Sequence, residues 1–306
     1  MNNQLKLSVS PHIHSGRSTR SIMLDVLIAL LPTTVAGALI FGLRSLLVVA
    51  VTVAACVGFE ALFCLVAKKA IPVGDLSAAV TGLLLALNLP ANIPLWQCVV
   101  GALFAMVVVK GLFGGLGANP VNPAITARVF MLVAFASLTK AAFPVDAVSS
   151  ATPLSSEEAT SLMDLFLGNH GGAIGETCAL ALLLGGVYLL VRRVITWHIP
   201  VAFIGTVFLM SFLLEGMSAT AALAAILSGG LLIGAIFMAT DYVTSPTTPW
   251  GRIIFGLGAG LITILIRYFG NYPEGVSFAI LFMNILTPYI TIWTRRRIFG
   301  MGGHKA

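Results

Sequence analysis

The chain has 306 residues, of which 58% are hydrophobic and only 9% are charged. Soluble domains carry about 25% charged residues, so this composition excludes an ordinary soluble protein and indicates that lipid is the main solvent. The net charge of +6 does not indicate nucleic acid binding, because the Lys and Arg residues stand at the ends of apolar segments rather than in one basic patch. We therefore expect the lipid bilayer as a partner and no nucleic acid.

Apolar runs along the chain predict an all-α integral membrane protein with about ten transmembrane helices, since each crossing takes about 20 helical residues. The third run is short, about 22 Å at 1.5 Å per residue, and we expect it to be tilted or broken. The predicted spans cover residues 22–42, 45–67, 75–89, 96–112, 124–139, 173–191, 199–214, 219–239, 253–269 and 276–293.

The distribution of Lys and Arg predicts how the spans are oriented. If the N-terminus is cytoplasmic, fourteen of the seventeen Lys and Arg residues fall on or near the inner side, and only Arg44, Lys140 and Arg267 fall outside. Lys and Arg concentrate on the cytoplasmic side of membrane proteins. Residues 1–21 and 294–306 are therefore expected to be cytoplasmic tails.

Two Pro-rich segments predict an internal repeat. Residues 82–96 and 234–250 each consist of an apolar run that breaks into a Pro-rich turn and ends in Trp. Five spans in each half, 22–140 and 173–293, would give the halves opposite orientations, which is an inverted repeat with sites near the interface. The alternative is that membrane helices rich in Gly and Pro resemble one another by chance.

The longest predicted loop covers residues 141–172 and falls on the outer side in this topology. Ser155 and Glu158 have the spacing of a capping box, which predicts a short amphipathic helix that runs to about Leu167 and ends at Gly168. By its residues alone, this Ser- and Thr-rich segment is an ordinary surface loop.

Within that loop, the segment from Asp146 to Thr152 has the pattern Asp-x-x-Ser-Ser-Ala-Thr. This pattern resembles the flavin attachment site of the family formed by the D subunits of Rnf electron transport complexes and the B subunits of Nqr complexes. The N-terminal segment lacks the long extension of the Nqr members and is more similar to the Rnf members. Other segments that resemble the family, in the same order, begin at Asp75, Asn119, Gly168, Thr240 and Tyr272.

The resemblance implies that Thr152 carries FMN through a phosphoester bond made by a separate flavin transferase. It also implies a second, non-covalent flavin, riboflavin, near Asn119 and Asn122; the alternative there is a simple turn with Asn caps. Lys140 lies where a flavin phosphate could bind; the alternative is that it only closes the end of the loop. Asp146 either helps the transferase recognise the loop or forms a turn.

Acidic residues inside apolar runs are costly in lipid and are functional hypotheses by default. Asp241 follows the eighth span at the Pro-rich break, and we expect it to couple a cation, with Thr244 or Ser245 as further oxygen ligands for Na⁺. The alternative is a surface charge paired with Arg252. Glu60, in the second span, is either a second coupling residue or a hydrogen-bonded structural acid.

No catalytic residue and no metal site are predicted. The cysteines lie in apolar segments without C-x-x-C spacing, which is typical of small buried side chains rather than of metal ligands. They are Cys56, Cys64, Cys98 and Cys178.

The preferred hypothesis is a component of an Rnf-type complex in the bacterial inner membrane that relays electrons through flavins and is coupled to Na⁺ or H⁺ transport. Its partners would be other membrane and peripheral subunits, including an outer subunit that carries flavin, and the chain alone would not be a complete catalyst. The alternative is a channel or secondary transporter for a small polar solute, which would have no need of Thr152. A purely structural scaffold is disfavoured by the acids within the membrane.

Overall fold

A computed structural model describes residues 17–69, 72–135, 161–270 and 275–295. Within these ranges the regular secondary structure is helical and includes no strand, as the apolar runs predict. The helices are α1 (Thr19–Phe41), α2 (Leu43–Val66), α3 (Ser77–Leu87), α4 (Leu95–Gly111), α5 (Pro123–Ala134), α6 (Leu162–Leu167), α7 (Ala179–Val191), α8 (His198–Leu214), α9 (Ala219–Leu227), α10 (Leu231–Met238), α11 (Pro249–Phe269) and α12 (Val276–Thr294).

Four of the described helices, α1, α2, α11 and α12, are long and apolar enough to cross a membrane. A fifth candidate is the pair α9 and α10, which is bent by 67° at a short break. The remaining apolar helices have 10–17 residues. The chain is therefore a multi-pass membrane protein, while the number of ten crossings stays a prediction.

The third and sixth predicted spans correspond to helices that are short or that begin late. The third is short, as expected, since α3 has 11 residues and is about 16 Å long. The sixth is predicted to begin at residue 173, but α7 begins at Ala179. Residues 173–178 are not part of α7, because the backbone amides of Ile174 and Gly175 donate to the carbonyls of Leu89 and Leu87 at the end of α3 instead of to a helix of their own.

Helix boundaries follow local chemistry at the Pro-rich turns. Asn122 caps α5 by accepting from the amide of Ala124 at 3.0 Å, and Pro123 occupies the first turn, where no amide donor is needed. Thr248 caps α11 in the same way and is also followed by a proline. These caps fix where each helix begins after a break.

The short helix of the long loop ends as predicted. The backbone of Gly168 has a φ of 103°, in the left-handed region that favours glycine, and it stops α6. The helix begins at the cap formed by Ser161, whose side chain accepts from the amide of Met163. Ser155 and Glu158 lie outside the described residues.

The two halves contact each other through α1 with α7 and through α5 with α12. At the first contact, Asp25 accepts a hydrogen bond from the Tyr188 hydroxyl at 3.0 Å and lies 3.3 Å from the Arg192 guanidinium. Within the halves, α2 packs on α3 and α4, and α8 packs on α10 and α11. These pairs are compatible with an inverted repeat, which stays a prediction.

Candidate functional site

A cavity of about 100 Å³ lies between the two halves, beside the turn that follows α10. Its apolar wall includes side chains from α1, α3 and α7. Its polar wall includes Ser77, Thr81, Lys110, Asn119, Asn122 and Asp241. Two segments that are far apart in the sequence, the Asn-rich turn before α5 and the turn after α10, therefore meet at one place.

Asn122 joins the two halves at this cavity. Its amide oxygen caps α5, and its amide nitrogen donates to the carbonyl of Met238 at 3.2 Å. Asn119 also lies in the wall, and its amide nitrogen donates to the nearby carbonyl of Val121 at 3.1 Å. The alternative that the sequence left open, a turn with an Asn cap, therefore describes what Asn122 does here.

Asp241 is half-buried at the rim of the cavity. Its Oδ2 accepts a hydrogen bond from the Thr244 hydroxyl at 3.0 Å. Arg252 instead donates to the carbonyl of Pro246 and to the hydroxyl of Thr196, and no ion pair between Asp241 and Arg252 occurs in the described residues. The alternative of a surface charge pair with Arg252 is therefore wrong.

The two hydroxyl residues predicted as further ligands differ in position. Thr244 bonds Asp241 directly, but its carbonyl already accepts a hydrogen bond from the Thr287 hydroxyl at 2.8 Å. Both residues are buried, and neither lines the cavity. Of the two, only Thr244 thus has its hydroxyl beside the carboxylate of Asp241.

Glu60 forms a buried ion pair with Lys110. The Nζ of Lys110 lies 2.6 Å from Oε1 of Glu60 and 2.6 Å from the hydroxyl oxygen of Ser77. Lys110 and Glu60 are 4% and 5% exposed. Lys110 belongs to the π-helical end of α4, Phe104–Gly111, a geometry that frequently occurs at functional sites.

A second cavity of about 200 Å³ lies on the other side of this pair. It is lined by Glu60 and Lys110, and it shares Lys110 and Leu116 with the first cavity. The second carboxylate oxygen of Glu60, Oε2, has no hydrogen-bond partner among the described residues. Lys110 therefore lines both cavities, the first of which is also lined by Asp241 and the second by Glu60.

Another buried ionic group lies at the opposite end of α3. Arg128 on α5 donates to Oε1 of Glu176 at 2.7 Å and to the amide oxygen of Asn88. Arg128 and Glu176 are each 3% exposed. Asn88 in turn donates to the carbonyl of Leu84 at 2.7 Å and approaches the sulfur of Met238 at 3.6 Å.

Sequence reasoning missed these cationic partners. Lys110 and Arg128 were counted among the inner-side cations that predict orientation, but both are buried and bonded to acids, so they carry no topological information. The signal was available for each, because both lie inside predicted apolar spans, where a charge is costly and needs a partner.

The residues predicted to hold the covalent flavin, Thr152 and Lys140, lie outside the described residues, as does Asp146. The described flanks are α5, which ends at Ala134, and α6, which begins at Leu162. Three of the cysteines are buried, as expected for small apolar side chains, and Cys178 is partly exposed.

Comparison with known proteins identifies relatives along nearly the whole chain. The model of the NQR2, RnfD, RnfE family matches residues 6–300. The D subunit of the Na⁺-translocating ferredoxin:NAD⁺ oxidoreductase complex of Acetobacterium woodii is 47% identical, over 98% of this chain and 97% of that protein. The D subunit of the proton-translocating ferredoxin:NAD⁺ oxidoreductase complex of Clostridium ljungdahlii is 40% identical, over 97% of both chains.

A third relative, the D subunit of the ion-translocating oxidoreductase complex of Salmonella arizonae, is 35% identical over 96% of this chain and 98% of that protein. The family match and these identities agree with the resemblance seen in the segments around Asn119, Thr152 and Asp241. The chain belongs to the NQR2, RnfD, RnfE family.

Proposed function

We propose that this chain is a membrane component of an ion-translocating electron transport complex, in which it carries FMN on Thr152 and provides a cation site at Asp241. The observation that supports the proposal most is that the family segments around Asn122 and Asp241 meet at one polar cavity between the halves of the chain. Relatives named as D subunits of ferredoxin:NAD⁺ oxidoreductase complexes support the electron-transfer part.

The cavity is large enough for a small cation. Its volume of about 100 Å³ leaves room for an ion and water molecules. A water molecule takes about 30 Å³ in the liquid, so the space suits a partly hydrated ion. A second flavin, riboflavin, near Asn119 and Asn122 stays a separate prediction, and Asn122 already uses its amide group for the α5 cap and the carbonyl of Met238.

The chemistry of Asp241, and of the Thr244 hydroxyl bonded to it behind the wall, suits a hard cation or a proton. The carboxylate of Asp241 and the hydroxyl of Thr244 are oxygen ligands of the kind that Na⁺ prefers. Lys110 repels a cation unless its charge is balanced, and Glu60 supplies that balance at 2.6 Å. A cation at Asp241 would share the cavity with the Lys110 ammonium, which would make occupancy sensitive to the Lys110–Glu60 pair.

FMN on Thr152 would supply the redox chemistry, since a flavin accepts and passes electrons while the protein positions it. Lys140 at the edge of the same loop would bind the FMN phosphate. A flavin transferase would attach the FMN, and other membrane and peripheral subunits, including an outer flavin-carrying subunit, would exchange electrons with it. The loop would lie on the outer side of the bacterial inner membrane, with both termini in the cytoplasm.

The experiment that tests the flavin is fluorescence of the denatured chain in a gel. Wild type and Thr160→Ala, a matched threonine of the same loop, should fluoresce, and Thr152→Ala should not. Fluorescence that survives Thr152→Ala would remove Thr152 as the anchor. A chain that fluoresces in no form would favour the alternative of a channel or secondary transporter for a small polar solute.

A further inference from the structure

The group formed by Arg128, Glu176 and Asn88 has no role in the function proposed above. It is nonetheless costly, because taking two charges out of water costs several kcal/mol for each ion and requires good geometry to recover. The contacts are specific: Arg128 uses one amino group for Glu176, at 2.7 Å, and the other for Asn88. A buried ionic group of this kind within a membrane protein calls for an explanation.

The position of the group across the membrane follows from α2. Arg44 at the start of α2 donates to the carbonyl of Ala91, just after α3, whereas Glu60 near its end pairs with Lys110 beside Ser77 at the start of α3. The helices α2 and α3 are therefore antiparallel. The Lys110–Glu60 pair beside the start of α3 therefore lies toward one membrane face, and the Arg128 group lies about 16 Å away at the other end of α3, toward the other face. The first cavity is lined by residues of α3 from Ser77 to Leu84.

The Arg128 group adjoins the first cavity at that end of α3. Asn88 bonds the carbonyl of Leu84, and Leu84 lines the cavity. Met238 contacts Asn88 through its sulfur and Asn122 through its carbonyl, so it links the group to a residue of the cavity wall. On the far side, the backbone of Gly230 is so close that an added methyl would come within 2.7 Å of Oε1 of Glu176.

We propose that Arg128 is an electrostatic barrier that keeps cations in the cavity from reaching the opposite membrane face through this chain. A guanidinium keeps its charge at any physiological pH, and fixed charges in narrow membrane passages exclude ions of the same sign. Glu176 and Asn88 are positioning residues that hold the guanidinium across the path. The inference rests on the proposed function in one respect, namely that a cation enters the cavity at Asp241.

The test is passive cation leak through the purified complex in proteoliposomes, without electron donor. Radioactive Na⁺ and a pH-sensitive dye report the two ions. Arg128→Gln removes the charge, while Arg128→Lys keeps the charge but also loses the paired hydrogen bonds to Glu176 and Asn88. Glu176→Gln leaves Arg128 charged and still offers it an acceptor. Flavin content and a single peak in size-exclusion chromatography confirm that each complex is assembled.

We expect Arg128→Gln to leak Na⁺ or H⁺ about tenfold or more faster than wild type, because Glu176 is then an uncompensated negative charge in the path. Arg128→Lys and Glu176→Gln should stay within about twofold of wild type. An Arg128→Gln complex that leaks cations no faster than wild type would overturn the proposal. Equal leak in Arg128→Gln and Arg128→Lys would also overturn it, because packing and not charge would then form the seal.

Asp241→Asn separates this inference from the proposed function. If Asp241→Asn abolishes electron-driven cation uptake and Arg128→Gln leaks no faster than wild type, the barrier proposal is overturned and the proposed cation site stands. If Arg128→Gln leaks and Asp241→Asn leaves driven uptake unchanged, the barrier is supported and the proposed cation site fails.

Discussion

The ammonium of Lys110 lies 2.6 Å from Oε1 of Glu60, and the two side chains are buried together between two cavities. The pair joins α2 to the π-helical end of α4, and the Ser77 hydroxyl adds α3 to the same point. One ionic contact therefore holds three helices of the first half beside the cavity in which the cation site is proposed.

Breaking this pair on one side should destabilise the chain. Glu60→Gln or Lys110→Met leaves one buried charge uncompensated, which typically costs about 3–5 kcal/mol. The double substitution should recover much of that loss, because no buried charge remains. Thermal melting of the complex in detergent measures the effect, with Lys68→Met, an exposed cation near the same end of α2, as the control. A double substitution as unstable as the worse single one would contradict the pairing.

A second prediction concerns the space beside the Arg128 group. An added Cβ at Gly230 would meet Oε1 of Glu176 at 2.7 Å and an amino group of Arg128 at 3.4 Å. Gly230→Ala should therefore displace the pair and cost about 1–3 kcal/mol, as overpacking does. Gly205→Ala is the matched control, since nothing lies within 4 Å of its Cβ position. Equal melting temperatures for the two variants would show that the pair is not packed as described.

Asn122 should show two separable roles. Asn122→Ala removes the cap of α5, worth about 1 kcal/mol, together with the hydrogen bond to the carbonyl of Met238. Asn122→Ser keeps a capping oxygen and loses only the contact between the halves. We expect the melting temperature of Asn122→Ser to fall between those of Asn122→Ala and wild type. If the serine and alanine variants have the same melting temperature, the cap contributes no measurable stability.

The orientation of the loop that contains Thr152 gives a fourth prediction. A cysteine at Ala147 should react with a membrane-impermeant maleimide from the outer side of intact cells. A cysteine at Lys68, at the end of α2, should react only after the membrane is opened. Labelling of both positions from one side would mean that an even number of crossings separates them, against the predicted five spans per half.

Much of the fold could be predicted because each membrane helix is formed by one continuous apolar segment of the sequence. The apolar runs located the four long helices, and the short third run and the end of α6 at Gly168 followed from length and from the need for a left-handed residue. The start of α7 could not be predicted, because the hydrogen bonds of Ile174 and Gly175 to the end of α3 join segments that are far apart in sequence.

The site was predicted by its acids and amides but not by its cations. Asp241 and Glu60 stood out because acids in apolar runs are costly, and the resemblance added Asn122. That Glu60 pairs with Lys110, 50 residues away, depends on how α2 and α4 pack and leaves no local pattern. The same holds for Arg128 and Glu176, 48 residues apart.

We propose that electron transfer through the complex drives the movement of a cation by way of Asp241. The most direct measurement is donor-driven Na⁺ and H⁺ uptake by proteoliposomes, compared between wild type, Asp241→Asn and the exposed control Glu215→Gln. We predict that Asp241→Asn lowers uptake per electron about tenfold or more with its covalent flavin intact, while Glu215→Gln behaves as wild type. Unchanged uptake per electron in Asp241→Asn would contradict the account.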